Sequence, residues 1–371
     1  MVEWKKLGEV CAFNRGKTIT AKDAVDGDIP VIAGGQTPSY YHNEFNREGE
    51  SITVAGSGAY AGFVSYWNQP IFVSDAFTID PLKGLKHKYL FHWAKMNQGR
   101  IIATQKGAGV PHVHGKDIAN FLIPIPSLSE QQRIVSILDT FTSSISNLKQ
   151  QIEERRKQYE YERNLLLDLE GKEGVEWKRL SEICEIKGEY GLSVPSKPFD
   201  GVRYIRITDI TDDGKLNSDC VSADYNEITK VPLEEGDLLF ARTGATVGKT
   251  LMYLKEYGKC LYAGYLIRYR VNREVVLPKY VFHFTHSNKY NLWVKSNLVE
   301  GAQPNINAQK YNSLEIPIPS LQEQSRIVSI LDTFEQSISN LEEQLAMREK
   351  QYEYYRNQLL TFEGEEERGK T

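Results

Sequence analysis

Two segments of this chain carry apolar residues at alternating spacings of four and three, the heptad pattern of a coiled-coil helix. The first segment has the apolar series Ile134, Leu138, Phe141, Ile145, Leu148 and Ile152. The second has the series Ile327, Leu331, Phe334, Ile338, Leu341 and Leu345. Both patterns continue, through Tyr159 to Leu166 and through Tyr352 to Leu359. The spacing predicts two helices of about 40 residues, each roughly 60 Å long.

The same polar motif marks the start of each helix. Ile-Pro-Ile-Pro comes first in both copies, and each proline favours extended geometry at the residue before it. Ser127 with Glu130, and Ser320 with Glu323, then match the S-x-x-E capping box of a helix N-terminus. The pattern therefore predicts that each helix begins just after its serine.

The two helical segments are copies of each other. Between residues 123–171 and 316–364, 35 of 49 aligned positions are identical. A shorter repeat opens each half, as EWKKLGEVC from Glu3 and EWKRLSEIC from Glu176. Because the two apolar seams match in length and chemistry, we expect the helices to pack antiparallel within one chain, related by a pseudo-two-fold axis. Two separate helical hairpins, or coiled coils between chains, are the alternatives.

The residues between the repeats, 12–122 and 185–315, follow a different pattern. Short apolar runs rich in β-branched residues and tyrosine are separated by glycine turns, which is typical of strands in a mixed α/β domain. Segments from Leu85 and Pro278 have helical patterns at matching places. TVAGSGAYAG from Thr53 aligns with LFARTGATVG from Leu239 as strand, glycine turn, strand. The two inserts are therefore predicted to share a fold although they share little sequence.

These patterns predict an α+β fold class: two mixed α/β domains with twisted sheets, joined by two long antiparallel coiled-coil helices in a pseudo-two-fold repeat. The predicted boundaries follow the repeat. The first domain covers residues 1–126 and its helix 127–171, the second domain covers 172–319 and its helix 320–364, and a charged tail covers 365–371.

Composition places the protein among ordinary globular chains. It has 371 residues, of which 40% are hydrophobic and 11% aromatic. The sequence has no apolar run of the length that a bilayer requires, and its N-terminus lacks the features of a signal peptide, so we expect a cytoplasmic protein without membrane association. The four cysteines form no CxxC pair, and Cys11 and Cys184, at equivalent repeat positions, are predicted to be buried thiols.

Charge is distributed unevenly along the chain. The formal net charge is −4, but residues 129–170 hold 6 basic and 8 acidic residues and residues 322–371 hold 6 and 11. The two helical segments therefore carry −2 and −5, and the rest of the chain carries +3. Mildly basic inserts permit a nucleic-acid partner without indicating one.

Three short motifs suggest chemistry that their context does not support. TGATVGKT, ending at Thr250, resembles a P-loop, but a strand-like segment follows it where a P-loop needs a helix. His112-Val113-His114 has no nearby cysteine or aspartate cluster to complete a metal site. Gly34-Gly35-Gln36 supports only a flexible turn with one polar side chain. No nucleophile–base or paired-carboxylate arrangement stands out, so we expect no catalytic residues, no metal site and no enzyme activity.

The inserts do contain polar side chains of long reach beside glycines. Arginine can form paired hydrogen bonds with guanine, asparagine or glutamine with adenine, and lysine contacts phosphate. Each of these residues could equally be a solvated surface side chain. The predicted DNA-contacting residues are Lys17, Gln36, Tyr60, Lys106, His112, His114 and Lys116 in the first insert, and Arg206, Arg242, Thr243, Lys249, Gln303, Asn305, Asn307 and Lys310 in the second.

Arg242 is the most specific of these predictions. It follows the strand-like segment DLLFA and precedes Thr243-Gly244, where a glycine turn lets the backbone approach DNA. Three roles are open at this point: a paired contact with guanine, a phosphate contact, or a structural ion pair with an acid such as Asp237.

The chain resembles the specificity subunit of type I restriction–modification systems. The resemblance is carried by the Trp4 and Trp177 openings, GAQPNINAQK from Gly301, both IPIPSLxEQ motifs and the long helices that end in KQYEY. The first insert has GAGVPHVHGKD from Gly107 at the corresponding place, so equivalent contact residues are not implied.

The resemblance implies a non-catalytic subunit that binds double-stranded DNA. Each insert would be a target recognition domain for one half of a split sequence, and the helices would set the gap between the halves. Two modification subunits and two restriction subunits would be its partners, and S-adenosylmethionine, ATP and Mg would be bound by those partners only. The alternatives are a structural adaptor whose inserts bind proteins, and the specificity subunit of a related fused or type IIB-like system.

Overall fold

The computed structural model of the chain describes residues 2–107, 109–224, 232–298 and 304–362. The chain forms two compact units, one of residues 1–150 and 342–371 and the other of residues 151–341. The predicted tail, 365–371, lies outside the described residues.

The first unit contains nine strands and four short helices in its described part. The strands are β1 (Glu3–Lys6), β2 (Cys11–Arg15), β3 (Ile29–Ile32), β4 (Tyr40–His42), β5 (Glu50–Ala55), β6 (Val64–Asn68), β7 (Phe72–Val73), β8 (Ala76–Pro81) and β9 (Leu122–Ile125). The helices are α1 (Leu7–Val10), α2 (His87–Met96), α3 (Gln98–Ile102) and α4 (Gly115–Ile118). A long helix, α5 (Leu128–Leu167), then runs on into the second unit.

The second unit repeats this arrangement. Its strands are β10 (Glu176–Arg179), β11 (Cys184–Tyr190), β12 (Ser196–Pro198), β13 (Arg203–Ile205), β14 (Val221–Ala223), β15 (Leu238–Ala241), β16 (Thr250–Met252), β17 (Cys260–Tyr262), β18 (Leu266–Val271) and β19 (Glu315–Ile318). Its short α-helices are α6 (Pro278–Phe284), α7 (Asn288–Ser296) and α8 (Ala308–Asn312), with 3-10 turns at Leu180–Glu182, Ile207–Asp209, Gly244–Thr246 and Lys255–Tyr257. The second long helix is α9 (Leu321–Leu360).

The main sheets of the two units have the same topology. Four antiparallel strands lie in the order β2-β8-β5-β6 in the first unit and β11-β18-β15-β16 in the second. A two-stranded ribbon also recurs, as β1-β9 and β10-β19. In each unit a short helix follows the last strand of the sheet, α2 in one and α6 in the other. The prediction that both inserts share a fold is therefore confirmed.

Smaller sheets distinguish the units. The first has a three-stranded sheet in the order β4-β3-β7, in which β3 and β7 are parallel. The second has two separate pairs, β12-β14 and the parallel pair β13-β17. Register shifts in β11 at Cys184/Ile186 and Lys187/Glu189 increase its local twist. These differences fall in the inserts, where the sequences have diverged.

The two long helices match their predicted length of about 40 residues. Each contributes one half to each unit. In the first unit the start of α5 meets the end of α9, where the ring of Phe141 stacks on Tyr355 at 5.2 Å and Lys149 Nζ lies 2.9 Å from Glu349. In the second unit the end of α5 meets the start of α9, where Tyr159 lies 6.2 Å from Phe334. The pairing is antiparallel in both units, as predicted.

The apolar seam of these helices serves two purposes. Its first two positions, Ile134 and Leu138 in α5 and Ile327 and Leu331 in α9, are fully buried and belong to the cores of the sheet domains. The following positions pair the helices with each other and are only half-buried, apart from Ile152, which is buried. These half-buried residues are Phe141, Ile145, Leu148, Phe334, Ile338, Leu341 and Leu345. The heptad pattern predicts one continuous seam, whereas its ends are domain core.

The capping boxes are half formed. The backbone N–H of Glu130 donates to Ser127 Oγ at 3.3 Å, and that of Glu323 donates to Ser320 Oγ at 3.2 Å. In a complete capping box the glutamate carboxylate would also accept the backbone N–H of the serine. Here both oxygens of the Glu130 carboxylate instead accept hydrogen bonds from Arg133. The serine cap alone therefore marks where each helix begins.

A buried glutamine in each long helix fixes the adjoining domain. Gln131 is fully buried, accepts the backbone N–H of Lys86 at 2.9 Å and donates to the carbonyls of Gly84 and Pro126. Gln324 makes the equivalent bonds with Leu277, Val275 and Pro319. All the polar atoms of each buried amide are thus used to hold a loop of the sheet domain against the helix.

The cysteine prediction is confirmed for the two equivalent positions. Cys11 and Cys184 are buried, and burial raises the pKa of each thiol to about 12, which keeps both protonated and unreactive. None of the helices in the described part of the chain combines the length and apolarity that a membrane crossing requires.

Candidate nucleic-acid interface

The end of β5 forms a tight turn at one edge of the first unit. The chain leaves the strand at Ala55 and returns to β6 through two glycines, Gly58 and Gly62, with φ angles of 83° and 89°. The N–H of Gly62 donates to Ala55 O at 2.8 Å and closes the turn. Only glycine adopts this left-handed geometry readily, so both glycines are required by the backbone.

A second loop, residues 111–114, lies against this turn. Gly58 N–H donates to Pro111 O, and Val113 N–H donates to Gly56 O, each at 3.0 Å. Val113 is buried, so the residues on either side of it point away from the core.

Those flanking residues are His112 and His114. Both are exposed, and their rings lie nearly parallel with centroids 6.2 Å apart. Beside them Lys106 forms an ion pair with Asp117, and this pairing lowers the pKa of the aspartate. The two imidazoles are the polar groups that this loop presents.

The second unit has the same backbone arrangement. Gly244 N–H donates to Pro304 O at 3.1 Å, and Ile306 N–H donates to Arg242 O at 2.9 Å. Gly244 and Gly248 have φ angles of 71° and 88°, matching the two glycines of the first unit. The two turn-and-loop pairs are therefore structurally equivalent, although their side chains differ.

This equivalence aligns the two loops whose sequences diverge. His112 corresponds to Asn305 and His114 to Asn307, because each pair flanks the buried residue that donates to the turn. Gly56 corresponds to Arg242, since the carbonyl of Gly56 accepts the N–H of Val113 and the carbonyl of Arg242 accepts the N–H of Ile306. One backbone arrangement thus carries two different sets of polar side chains, at the end of β5 in one sheet and of β15 in the other.

The other predicted residues of the first insert are exposed. Gly34 packs so closely on the turn after β5 that a Cβ there would come within 2.4 Å of Ser57 O. Gln36 and Tyr60 are both exposed. Lys17 is exposed, with its N–H bonded to Val73 O at 2.9 Å. Lys116 is exposed on α4.

Several predicted residues of the second insert are bonded within the protein. Arg206 forms paired hydrogen bonds with the buried Asp209, which raise the pKa of the arginine. Lys249 Nζ lies 2.7 Å from Asp212 Oδ1. Thr243 is buried.

The loop after Pro304 adds two more such residues. Asn307 caps α8 by accepting the N–H of Lys310 at 2.9 Å, and Lys310 Nζ donates to Asn297 O at 2.8 Å. Asn305 is exposed, and Gln303 lies outside the described residues. Asn305 is therefore the loop residue whose side chain is presented to solvent without a capping role.

The suggested ion pair between Arg242 and Asp237 is wrong. Asp237 is buried and binds two other arginines, Arg268 at 2.6 Å and Arg270 at 2.7 Å. The guanidinium of Arg242 instead lies 5.0 Å from the ring centroid of Tyr190 and 6.0 Å from that of Tyr265. Both distances are in the range of cation–π interactions.

Arg242 and Arg206 open onto one cleft of about 650 Å³. Its walls combine aliphatic residues with tyrosines, hydroxyl side chains and the two arginines. The lining residues are Leu192, Ser193, Val194, Ser196, Tyr204, Arg206, Ile207, Thr208, Arg242, Ala263, Gly264 and Tyr265.

Sequence reasoning missed the two tyrosines around Arg242. Tyr190 and Tyr265 are both partly or largely exposed, Tyr265 at 57%. Each adjoins a glycine, Gly191 and Gly264. The sequence does show each tyrosine next to a glycine, which could have drawn attention to both. Only the pairing of β11 with β18, however, brings the two tyrosines together.

The P-loop-like and metal-like motifs have structural explanations. Lys249 is followed by β16, so a strand stands where a P-loop has its helix. Within the described residues the one group that could hold a metal is elsewhere, His283 with Asp332 and Glu335. There Lys279 Nζ lies 2.7 Å from Asp332 and 3.5 Å from Glu335, so a lysine already balances the carboxylates.

Known proteins resemble this chain over nearly its whole length. The family model described as "Type I restriction modification DNA specificity domain" matches residues 1–155 and 172–347. The specificity subunit of the Escherichia coli type I restriction enzyme EcoR124I/EcoR124II is 29% identical, covering 97% of this chain and 94% of its own. A putative type I specificity subunit of Haemophilus influenzae is 27% identical, covering 97% and 96%.

Solved structures show the same fold. The crystal structure of the type I restriction-modification system S subunit from M. genitalium has a TM-score of 0.65 at 17% identity and covers 97% of both chains. A structure from work on complex assembly of the type I R-M system has a TM-score of 0.58 at 20% identity and covers 97% of both. With matching family models in both halves and a matching fold, this chain belongs to the family of type I restriction-modification DNA specificity proteins.

Proposed function

We propose that this protein is the DNA-recognition subunit of a type I restriction–modification complex, in which each sheet domain recognises one half of a bipartite target. Membership of the family assigns a role in DNA target recognition. The finer assignment divides the chain into recognition domains at residues 1–126 and 172–319 and spacer helices at residues 127–171 and 320–364.

One observation carries this proposal: an identical backbone arrangement displays different side chains in the two units. Gly58 and Gly244 bond to equivalent prolines, whereas the residues beside them are His112 in one unit and Asn305 in the other. A catalytic site or a shared protein-binding site would need the same groups in both copies. Two recognition sites for different base sequences need the same scaffold and different side chains.

The side chains of the two turn-and-loop pairs and the charge of the inserts are suited to binding DNA. Asparagine can form paired hydrogen bonds with adenine, and arginine with guanine, in the major groove. The inserts carry the positive part of the chain's charge, while the long helices are acidic. A mild positive charge is appropriate for a subunit that shares phosphate contacts with partner proteins.

We further propose that the subunit itself is not catalytic and directs two modification subunits and two restriction subunits to the target. S-adenosylmethionine, ATP and Mg would then be bound by those partners. The duplicated helices support two equivalent partner sites, because Tyr161 and Tyr354 occupy the same repeat position and are both exposed. An exposed aromatic at the same place in each copy is the expected anchor for a repeated contact.

The test is to map methylated adenines in the genome of the host, then exchange residues 12–122 for those of another family member. The map should show one bipartite sequence, and the exchange should replace one half of it only. Exchange of residues 185–315 is the matched control and should replace the other half. If either exchange changed both halves, the two domains would not recognise DNA independently.

A structural adaptor with two protein-binding inserts is not favoured, because the family match assigns a role in DNA target recognition. It predicts no sequence-dependent DNA binding by the subunit, even when the partner subunits are present. A related fused or type IIB-like system is distinguished by the neighbouring genes, which would then encode a single polypeptide with both methyltransferase and nuclease domains.

A further inference from the structure

We infer that Arg242, whose guanidinium lies over the rings of Tyr190 and Tyr265, recognises a guanine in the half-site of the second domain. This rests on the proposed function and deepens it, since it assigns one base to one side chain. The ligand is the major-groove edge of guanine, whose O6 and N7 atoms accept the two hydrogen bonds of a guanidinium.

Arg242 differs from the other candidate cations of its domain. Arg206, Lys249 and Lys310 each bind an acceptor within the protein. In the described part of the chain, the side chain of Arg242 has no hydrogen bond and no ion pair, and its buried Nε is without a partner. Its charge therefore remains available for an external acceptor.

Arg242 is held in place at its backbone and at its guanidinium. Its backbone N–H donates to Tyr265 O at 3.0 Å, and its carbonyl accepts from Ile306 at 2.9 Å. The rings of Tyr190 and Tyr265 hold the guanidinium. A planar group held in this way has lost much of its rotational freedom before binding, so it favours a planar acceptor that approaches in its own plane.

The comparison of the two domains favours a base over a phosphate. Phosphate contacts carry no sequence information and would serve both domains equally. Yet the residue equivalent to Arg242 is Gly56, on the same backbone. A side chain present in one domain and absent from the other is the pattern expected of a contact that determines sequence.

The experiment uses the complex with its modification subunits and duplexes carrying the mapped target. Each guanine of the second half-site is replaced in turn by 7-deazaguanine, which lacks the N7 acceptor. We expect one replacement to weaken binding by the unaltered complex roughly tenfold, within the range for a lost base contact. In the Arg242→Ala complex, that same replacement should have almost no further effect, because the partner of N7 is already gone.

Two variants of Tyr265 test the contact between its ring and the guanidinium, and a third variant serves as a charge control. Tyr265→Phe keeps the ring and should preserve the response to 7-deazaguanine, whereas Tyr265→Ala should reduce it, because the guanidinium loses one wall. Lys255→Ala removes a positive charge from an exposed 3-10 turn and should leave the response unchanged. Thermal unfolding of each variant checks that the fold is intact.

Two outcomes overturn the inference. One is equal sensitivity to 7-deazaguanine in the unaltered and Arg242→Ala complexes at every guanine. The other is a uniform loss of affinity for all sequences with a salt slope lower by about one, which is the behaviour of a phosphate contact. Failure of the proposed function is distinguishable, since the unaltered complex would then show no sequence-dependent binding at all.

Discussion

The Nε2 atom of His92 lies 3.1 Å from Oδ1 of Asp139, which joins α2 of the first domain to the long helix α5. The histidine is fully buried, and its other ring nitrogen lies 3.0 Å from the hydroxyl of Tyr352 in α9. One side chain of the sheet domain thus contacts both long helices. Such a buried polar group is costly to disturb, because these bonds satisfy ring nitrogens that water cannot reach.

The second unit repeats this contact with one change. His283 lies 3.3 Å from Asp332 and 3.2 Å from the hydroxyl of Tyr159. Glu335 accepts the hydroxyl of Tyr159 at 2.9 Å, whereas the equivalent residue of the first unit is Thr142. The histidine, aspartate and tyrosine are therefore the common elements of domain attachment.

Asp139→Asn should reduce the free energy of unfolding at neutral pH by about 1–2 kcal/mol, since it weakens charge-assisted bonds to a partly buried carboxylate. Burial opposes ionisation of Asp139, but the bonds from His92 and Lys88 outweigh burial and lower its pKa. The stabilisation is complete above the unfolded pKa of about 3.9 and is lost as the pH falls through the lower folded pKa.

The measurement for Asp139 is urea unfolding between pH 3 and pH 7, with Asp168→Asn as the control. Asp168 is exposed just beyond α5, so its variant should match the unaltered protein. The difference caused by Asp139→Asn should be constant above about pH 5 and shrink below about pH 4. A difference that stays the same at all pH values would mean that the carboxylate charge is not what stabilises the contact.

Gln131→Met should lower the free energy of unfolding by about 2–3 kcal/mol. Methionine fills a similar volume but leaves the N–H of Lys86 and two carbonyls without their partner, at a cost of roughly 1–3 kcal/mol for a buried group. Gln324→Met should have a similar effect, because its bonds are equivalent. Gln132→Met at the exposed neighbouring position is the control, and an equal loss there would contradict the anchoring role.

Phe141→Ala should destabilise the protein by about 1–2 kcal/mol, less than the 3–5 kcal/mol of a fully buried aromatic. Its ring is only half-buried, against Tyr355 and beneath Arg348. Phe334→Ala removes the equivalent ring and should behave alike. Thermal unfolding measures the loss, and adenine methylation mapping should show an unchanged target. Full stability with an altered target would contradict the role of this residue in the seam.

Inserting four residues within the Asn147–Glu153 segment of α5 should change the gap between the half-sites. One further turn lengthens the helix by about 6 Å, close to two base pairs of DNA. Methylation mapping would report the new gap, and both half-site sequences should stay the same. The same insertion between Lys172 and Glu173, exposed beyond the helix, is the control and should leave the gap unchanged. An unchanged gap in the α5 variant would show that the helices do not set it.

Local patterns in the sequence were sufficient for the long helices and for the shared fold of the inserts. A heptad spacing, a serine cap and a copied segment are visible along the chain, because residues three or four apart lie on the same helix face. Hence Leu128–Leu167 and Leu321–Leu360 agree with the predicted lengths. The burial of Cys11 and Cys184 followed from their equivalent positions at the ends of apolar segments.

The candidate site could be predicted only in part. His112 and Asn305 were identified by residue type, but the sequences around them do not align, and their equivalence appears only in the bonds to Gly58 and Gly244. Some cations are engaged by partners distant in sequence, as with Lys249 and Asp212, 37 positions apart.

The identity of the copied helices was therefore determined by the sequence alone, whereas the environment of Arg242 was decided by the tertiary structure. Arg242 was assigned a possible partner close in sequence, Asp237, yet the fold gives that aspartate to Arg268 and Arg270. The pairing of β11 with β18 instead brings Tyr190 and Tyr265 to the guanidinium. Helix periodicity is a property of neighbouring residues, but a contact between side chains from distant strands exists only once the sheet has formed.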